Sequence, residues 1–189
     1  MAITINGNGT ITGISSGGLP AGSVTSATLA DGAATQAKRT YAAGEIIQYV
    51  HTTTITTTEV TSSSYTDCAG FSLAITPTSS SNLLLCHINI AGCTLYDTSG
   101  SDHNAEFVLT DNGASSYIKY DRFRIYEYGS GYHLGLFLNQ TFDINHIKTA
   151  GSTSARTYQL RVKLIAGEKI IVNNDSSAKS LMSITEIKV

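Results

Sequence analysis

The sequence predicts an all-β protein: an antiparallel β-sandwich head, jelly-roll-like, that follows an extended N-terminal segment. From Gly44 onward, apolar and polar residues alternate in short runs separated by Gly, Asn, Asp and Ser, which is typical of strands joined by turns. No run places apolar residues at helical spacing over more than a turn or two. About eight such runs at intervals near ten residues favour a sandwich.

The composition argues against several classes of function. The 189 residues suit one domain with an appendage. Charged residues make up only 14% of the chain and the net charge is -2, so we expect no nucleic-acid partner. No apolar run approaches the roughly 18–20 residues that cross a bilayer, so we expect no membrane insertion. The opening MAITINGNGT lacks the regions of a secretory signal, so we expect synthesis in a cytoplasm without Sec export.

The three cysteines, Cys68, Cys86 and Cys93, are odd in number and lack metal-ligand spacing. We expect buried free thiols, as in a chain made in a reducing compartment. A disulfide between Cys86 and Cys93 is the alternative.

Residues 1–43 are expected to form an extended anchor or stalk. Met1–Lys38 has no aromatic residue, and its large apolar residues are isolated among Gly, Ser, Thr and Ala. The sequence NGNG at 6–9 predicts a small hairpin. Ordering a backbone costs about 1–2 kcal/mol per residue, more than these apolar residues offset, so we expect order only against sister chains or a partner. The expected anchor residues are Ile3, Ile5, Ile11, Ile14, Val24 and Leu29.

Residues 44–189 are expected to form the head, and its first half contains three strand regions. Residues 44–60 predict one long or two short strands. The next strand has its apolar residues on one face and ends before Pro77. The run LLLCHINI at 83–90 begins apolar on both faces, which predicts a central strand partly covered on both sides. The residues expected on common faces are Phe71, Leu73 and Ile75 in the second region and Leu84, Cys86, Ile88 and Ile90 in the third.

The second half of the head continues with a hairpin. The sequence DNG at 111–113 is a turn signal between two runs. A strand follows within 134–145, residues 146–156 are expected to be loop, and two strands occupy 168–175 and 180–189.

The strand near residue 160 alternates most clearly of all. Glu186 shares a face with apolar neighbours, so we expect it to be half-buried, with Arg124 or Lys163 as candidate partners. The residues expected to face the core near position 160 are Tyr158, Leu160, Val162 and Leu164, and those expected to face solvent are Gln159, Arg161 and Lys163.

Two stretches resemble the short fibre and knob proteins of tailed bacteriophages, particularly phages of cyanobacteria and aquatic bacteria. The first is ITINGNGTITGISSGGLPAGSVTSATLADGAAT at 3–35, which is similar to segments near fibre N-termini. The second runs from GEIIQYVHTTT through SSSYTDCAGFSLAITP to the terminal SLMSITEIKV and is similar to a β-sandwich head module. The resemblance implies a homotrimer on a virion, with the N-terminus attached to capsid or tail proteins and the head distal. Residues 96–149 match neither stretch.

The sequence carries no catalytic or metal-binding signature. None of the five histidines belongs to an HxH or HExxH pattern, and the cysteines form no CxxC pair. No nucleophile motif is present, so we expect neither an enzyme nor a cofactor. A loop rich in oxygen ligands, Asp97 to Asn104, matches no EF-hand and is equally explained as a hydrogen-bonded turn.

The run YIKYDRFRIYEYGSGYH carries the candidate contact site. Tyrosines and arginines alternate onto one face, and these types stack on sugar rings or form hot spots at protein interfaces. A ligand site and a subunit interface both remain open. The candidate residues are Tyr120, Arg122, Arg124, Tyr126, Tyr128 and Tyr132.

Together these patterns predict a non-enzymatic structural or binding protein, and the resemblance implies a structural protein of a virion. The expected forms are a tail fibre for host attachment or a capsid-decorating knob. The alternative is a carbohydrate-binding module that recognises host surface glycans.

Overall fold

The computed structural model describes residues 4–5, 11–12, 40–96, 103–113, 117–125, 140–175 and 177–189. The chain divides into two units, Met1–Thr40 and Tyr41–Val189. In the first unit, β1 (Thr4–Ile5) and β2 (Ile11–Thr12) pair antiparallel, with Ile5 opposite Ile11, as the predicted hairpin requires.

The second unit is an all-β sandwich, and this confirms the predicted fold class. Its described residues contain strands and no helix, and therefore no helix long and apolar enough to span a membrane. Two antiparallel sheets, with strand orders β5-β10-β7-β8 and β3-β12-β6-β11-β4, pack against each other, and β9 pairs with β6. The strands are β3 (Ile46–Thr54), β4 (Thr58–Val60), β5 (Thr66–Ile75), β6 (Leu83–Tyr96), β7 (His103–Asp111), β8 (Tyr117–Ile125), β9 (Gln140–Thr149), β10 (Arg156–Ala166), β11 (Lys169–Val172) and β12 (Ser180–Ile187).

Strand β6 is the centre of the six-stranded sheet, as its apolar start predicts. It pairs with β12 on one side and with β9 on the other over the same residues. Farther along β6, Cys93 pairs with Val172 of β11 on one side and with Gln140 of β9 on the other. Strands β12 and β11 therefore pair one after the other with the same edge of β6. The inward side chains predicted for this strand are all buried, namely Leu84, Cys86, Ile88 and Ile90.

Residues 146–149 correct the prediction of a loop. They continue β9, with Ile147 opposite Leu85 and Lys148 opposite Leu84. The sequence pattern is inverted here, because the apolar Ile147 is 58% exposed while Lys148 is directed inward. Lys148 Nζ donates to Asp111 Oδ2 at 2.7 Å, which links β9 of one sheet to β7 of the other.

The three cysteines are buried free thiols, as expected, and the alternative Cys86–Cys93 disulfide is not present. Burial raises the pKa of Cys86 and of Cys93 to about 12. The thiolate form is therefore suppressed at both positions.

Glu186 is fully buried, and its partners differ from the cations that the sequence suggested. Its carboxylate accepts hydrogen bonds from Gln48 Nε2 (2.5 Å), Asn82 Nδ2 (2.7 Å) and the Thr78 backbone N–H (2.8 Å) and hydroxyl (2.9 Å). Burial opposes ionisation, but these bonds outweigh it and lower the pKa of Glu186. Amide and hydroxyl dipoles stabilise this charge, while Lys163 binds Glu106 instead and the side chain of Arg124 lies outside the described residues.

A β-bulge in β5 brings Gly70 against β3. Arg161 of β10 lies opposite Asp67, yet Gln159 lies opposite Ser72, so the residues between Asp67 and Ser72 leave the regular ladder. Gly70 has φ +79°, and a Cβ there would lie 2.3 Å from Thr54 Oγ1. This position therefore requires glycine for both its conformation and its space.

Replacing Gly70→Ala should destabilise the head by about 2–4 kcal/mol, because left-handed backbone strain and a clash add together. Gly151→Ala is the matched control, since Gly151 has φ +71° and a Cβ added there would meet nothing within 4 Å. The Gly151→Ala substitution should lower the free energy of unfolding by only about 1 kcal/mol. Urea unfolding measures both, and equal losses would show that the contact with Thr54 contributes nothing.

Candidate functional site

The outer side of the four-stranded sheet carries the candidate site. Strand register places its side chains in rows that cross the strands. Lys163 of β10, Glu106 of β7 and Arg122 of β8 form one row. The next rows are Asp67, Arg161, Val108 and Tyr120, and then Ser72, Gln159, Thr110 and Tyr117.

Tyr65, which immediately precedes β5, lies over these rows. Its hydroxyl donates to Glu106 Oε1, and its ring centroid is 5.1 Å from that of Tyr117. Lys163 Nζ lies 4.5 Å from the Tyr65 ring centroid, and Arg161 Nη2 donates to the Tyr65 carbonyl at 2.8 Å. The ring thus spans from the Glu106 row to the Tyr117 row, and the intervening Val108 is only 1% exposed.

Two further tyrosines extend this aromatic surface toward solvent. The Tyr117 and Tyr120 rings meet edge to face with centroids 5.6 Å apart, and these residues are 36% and 53% exposed. Such exposed rings offer flat apolar area with a polar hydroxyl at the tip. We call this surface the tyrosine face; its residues are Tyr65, Glu106, Tyr117, Tyr120, Arg122 and Lys163.

Glu106 holds the tyrosine face together electrostatically. Its side chain is only 9% exposed, and Lys163 Nζ and Arg122 Nε each lie 3.0 Å from one of its oxygens. Burial opposes the charge, but hydrogen bonds from Tyr65, Lys163 and Arg122 outweigh it and lower the pKa of Glu106 to about 2. Burial and Glu106 together raise the pKa of Tyr65. At neutral pH, Tyr65 is therefore a neutral donor to an ionised Glu106.

The predicted contact residues fall on this surface in part. Tyr120 and Arg122 lie on the tyrosine face, as the alternation predicted. The backbone of Arg124 pairs with Asn104 in β8 and β7, but its side chain is outside the described part of the chain. Tyr126, Tyr128 and Tyr132 also lie outside the described residues.

Four members of the tyrosine face were not assigned to a site by the sequence reasoning, although one of them, Lys163, was expected on the solvent side of β10. Tyr117 has odd numbering and Tyr120 even, so strict alternation separates them; a register shift opposite Leu109 and Thr110 brings both to one side. Tyr65 precedes its strand and carries no periodicity signal. Glu106 lies in β7, whose nine residues are all buried, so its partners depend on long-range register.

The outer side of the six-stranded sheet is apolar in one region. Ile46 and Tyr49 of β3 are 60% and 51% exposed, and Ile147 of β9 is 58% exposed. Register places half-buried Leu83 and Leu85 of β6 between these two edges. We call this surface the apolar face; its residues are Ile46, Tyr49, Leu83, Leu85, Ile147 and Ile187.

Two histidines lie beside the apolar face, one stacked on an aromatic ring and one in a polar contact. His51 stacks on Tyr49 with ring centroids 5.4 Å apart, and His87 Nε2 is 3.3 Å from Asp143 Oδ1. Within the described ranges, no three His, Cys, Asp or Glu side chains are grouped as metal ligands. Of the candidate calcium loop, residues 97–102 lie outside the described residues.

The expected anchor residues are described only in part. Ile5 and Ile11 are paired in β1 and β2. The remaining anchor residues, Ile3, Ile14, Val24 and Leu29, lie outside the described residues.

No protein-family model matches the chain, and no curated protein matches it. Among solved structures, the chain is similar to the crystal structure of dimeric latent PorU from Porphyromonas gingivalis, with 13% sequence identity and a TM-score of 0.36. The match covers 78% of this chain and 14% of that PorU chain. A likeness this weak carries no argument about fold or function.

Replacing Glu106→Gln should destabilise the head by about 2 kcal/mol at pH 7, because Lys163 and Arg122 lose their carboxylate. The folded-state pKa of Glu106 lies below its ordinary value of 4.5, so its contribution is complete above about pH 4.5 and is lost as pH falls toward 2. The difference in free energy of unfolding between wild type and variant, measured with urea, should therefore shrink as pH falls from about 4.5 toward 2. Asp67→Asn is the control, because Asp67 is ion-paired on the same sheet but its side chain is 66% exposed. This substitution should lower the free energy of unfolding by less than about 1 kcal/mol. A gap that stays constant from pH 7 to pH 3 would contradict this role.

Proposed function

We propose that the chain is a non-enzymatic structural subunit of a virion, a homotrimeric fibre or knob whose N-terminal segment attaches to capsid or tail proteins. The observation that carries the proposal is the apolar face. Exposed Ile46, Tyr49 and Ile147 flank the half-buried Leu83 and Leu85, which leaves a sheet face of the single chain in contact with water. Exposed apolar side chains grouped on one sheet face in this way, here with Thr185 between Tyr49 and Leu85, are typical of protein contacts in soluble proteins.

The central strand of the sheet gives the same indication. Leu83 and Leu85 have the apolar character expected of a strand covered on both faces, while only the inward face of β6 is packed in the single chain. A neighbouring subunit supplies the missing cover in the proposed trimer. The proposal covers both a knob on a capsid and a tail fibre. Labelling intact particles with an antibody against this chain separates the two placements.

Native mass spectrometry should give a particle of about three times the 20.0 kDa chain. Ile147→Lys should lower that mass, because a charge in the apolar face opposes burial. Ile165→Lys is the matched control, an exposed isoleucine of β10 in the other sheet, and should leave the mass unchanged. A wild-type chain that remains monomeric at high concentration overturns the proposed trimer. A trimer that withstands Ile147→Lys removes the apolar face as its interface.

A second candidate function is recognition of host surface glycans by a carbohydrate-binding module. The observation that favours it is the tyrosine face, where exposed Tyr117 and Tyr120 lie beside the ordered Tyr65 ring. Aromatic rings stack on the apolar faces of sugar rings, and their fixed position lowers the entropic cost of binding.

The second candidate predicts that the wild-type chain binds surface polysaccharide isolated from a host cell. Binding should weaken about tenfold in Tyr120→Ala, since one stacking ring is lost. Tyr120→Phe keeps the ring and is expected to bind nearly as well as wild type. Glycan-array and pull-down measurements check this, and silence of the wild type across host polysaccharides overturns the function.

A further inference from the structure

Beside the tyrosine face lies an open depression of about 450 Å³. Its volume falls within the range of roughly 300–1,000 Å³ that is usual for small-molecule sites. It lies where β5, β10 and β7 meet the turn after β7. The lining residues that carry the argument are Asp67, Thr110, Asn112, Thr157, Gln159 and Arg161.

The bulge in β5 shapes this depression. Between Asp67 and Ser72 the strand leaves the regular ladder with β10, which opens space beside Gln159 and Arg161. Gln159 holds the bulged backbone in place, because its Nε2 donates to the Cys68 carbonyl at 3.2 Å and to the Leu160 carbonyl at 2.8 Å. Bulges are frequent next to binding sites because they redirect side chains out of the sheet pattern.

The polar groups of the depression are ordered, and several retain hydrogen-bonding capacity. Gln159 uses its nitrogen in the protein, so its Oε1 is available as an acceptor. Asn112 Oδ1 accepts from the Thr157 backbone N–H at 2.7 Å, while its Nδ2 and the Thr157 hydroxyl form no hydrogen bond within the described residues. The depression therefore offers both a donor and an acceptor besides a hydroxyl group, which suits a ligand with several hydroxyl groups.

An aromatic residue adjoins the polar groups. Tyr117 of β8 is the strand neighbour of Thr110, which lines the depression, and adjacent strands lie about 4.8 Å apart. The Tyr117 ring is held by Tyr65 on one side and by Tyr120 on another. A flat apolar surface and a polar depression thus lie side by side on one rigid sheet.

The charges of the depression are already paired with each other. Arg161 Nε donates to Asp67 Oδ1 at 2.6 Å, and on the adjoining tyrosine face Glu106 binds both Arg122 and Lys163. A charged ligand would have to break these pairs, whereas an uncharged one would not. The chemistry therefore favours a neutral polyhydroxylated ligand with one apolar face.

We propose that the depression binds an uncharged hexopyranose, with its apolar ring face toward Tyr117 and its hydroxyl groups toward Thr157, Asn112 and Gln159. The proposal deepens the second candidate function and rests on it, because it assigns the sugar class and the position of the site. It does not depend on the trimer.

The test uses the full-length chain and methyl glycosides of glucose, galactose and mannose as probes, with saturation-transfer NMR and tyrosine fluorescence as readouts. The chain has no tryptophan, so its intrinsic fluorescence comes from tyrosine. At least one glycoside should bind to the wild type. Tyr117→Ala should weaken binding by about tenfold and Thr157→Val by about threefold to tenfold, through lost stacking and a lost hydrogen bond.

Two controls separate the site from the fold. Tyr117→Phe retains the ring and should bind within about twofold of wild type. Ile55→Ala removes an apolar side chain that is 55% exposed between β3 and β4, outside both named faces, and should leave binding unchanged. Urea unfolding of each variant shows whether the head is intact.

The outcomes distinguish the site from the function. If the wild type binds both host polysaccharide and a glycoside but Tyr117→Ala and Thr157→Val bind equally well, the position of the site is wrong and the glycan function survives. If the wild type binds host polysaccharide but none of the three glycosides, the assignment of a neutral hexopyranose is overturned. If it binds neither, both the site and the second candidate function are overturned.

Discussion

The buried carboxylate of Glu186 connects three segments of the head that lie far apart in the chain. It binds Gln48 of β3 and both Thr78 and Asn82 of the segment between β5 and β6, while its own strand, β12, pairs with β3 and β6. Asn82 extends this hydrogen-bond network, because its backbone carbonyl accepts a hydrogen bond from the N–H of Ala150, which follows β9. Because a buried carboxylate left unsatisfied is costly, this arrangement fixes one end of the sandwich.

Two of the buried carboxylates in the described part of the head, Glu186 and Glu106, are stabilised in different ways. Glu186 is surrounded by amides and hydroxyls, whereas Glu106 is bound by Lys163, Arg122 and the Tyr65 hydroxyl. Neutral dipoles inside the fold are little affected by salt, while the partly exposed Arg122 is open to screening. The hydrogen bonds of Glu186 thus stabilise the sandwich from inside, whereas the ion pairs of Glu106 position the rings of the tyrosine face.

The sequence predicts the sandwich well because alternation records which side of a strand is buried. Leu160 and Ile88 were assigned correctly on that basis, as was the central position of β6. The same rule fails where register shifts or where the pattern is inverted. Tyr117 reaches the tyrosine face through a shift in register, and Ile147 points outward where an apolar residue is expected inward. The candidate site depends on these exceptions, so only Tyr120 and Arg122 were placed on it from the sequence.

The buried thiols have a consequence for measuring how the head opens. Cys68, Cys86 and Cys93 come from β5 and from both halves of β6, and their side chains face the packed interior between the sheets. A thiol-specific reagent reaches them only when the two sheets separate. The rate of alkylation therefore measures how often the two sheets of the head separate, without an added probe.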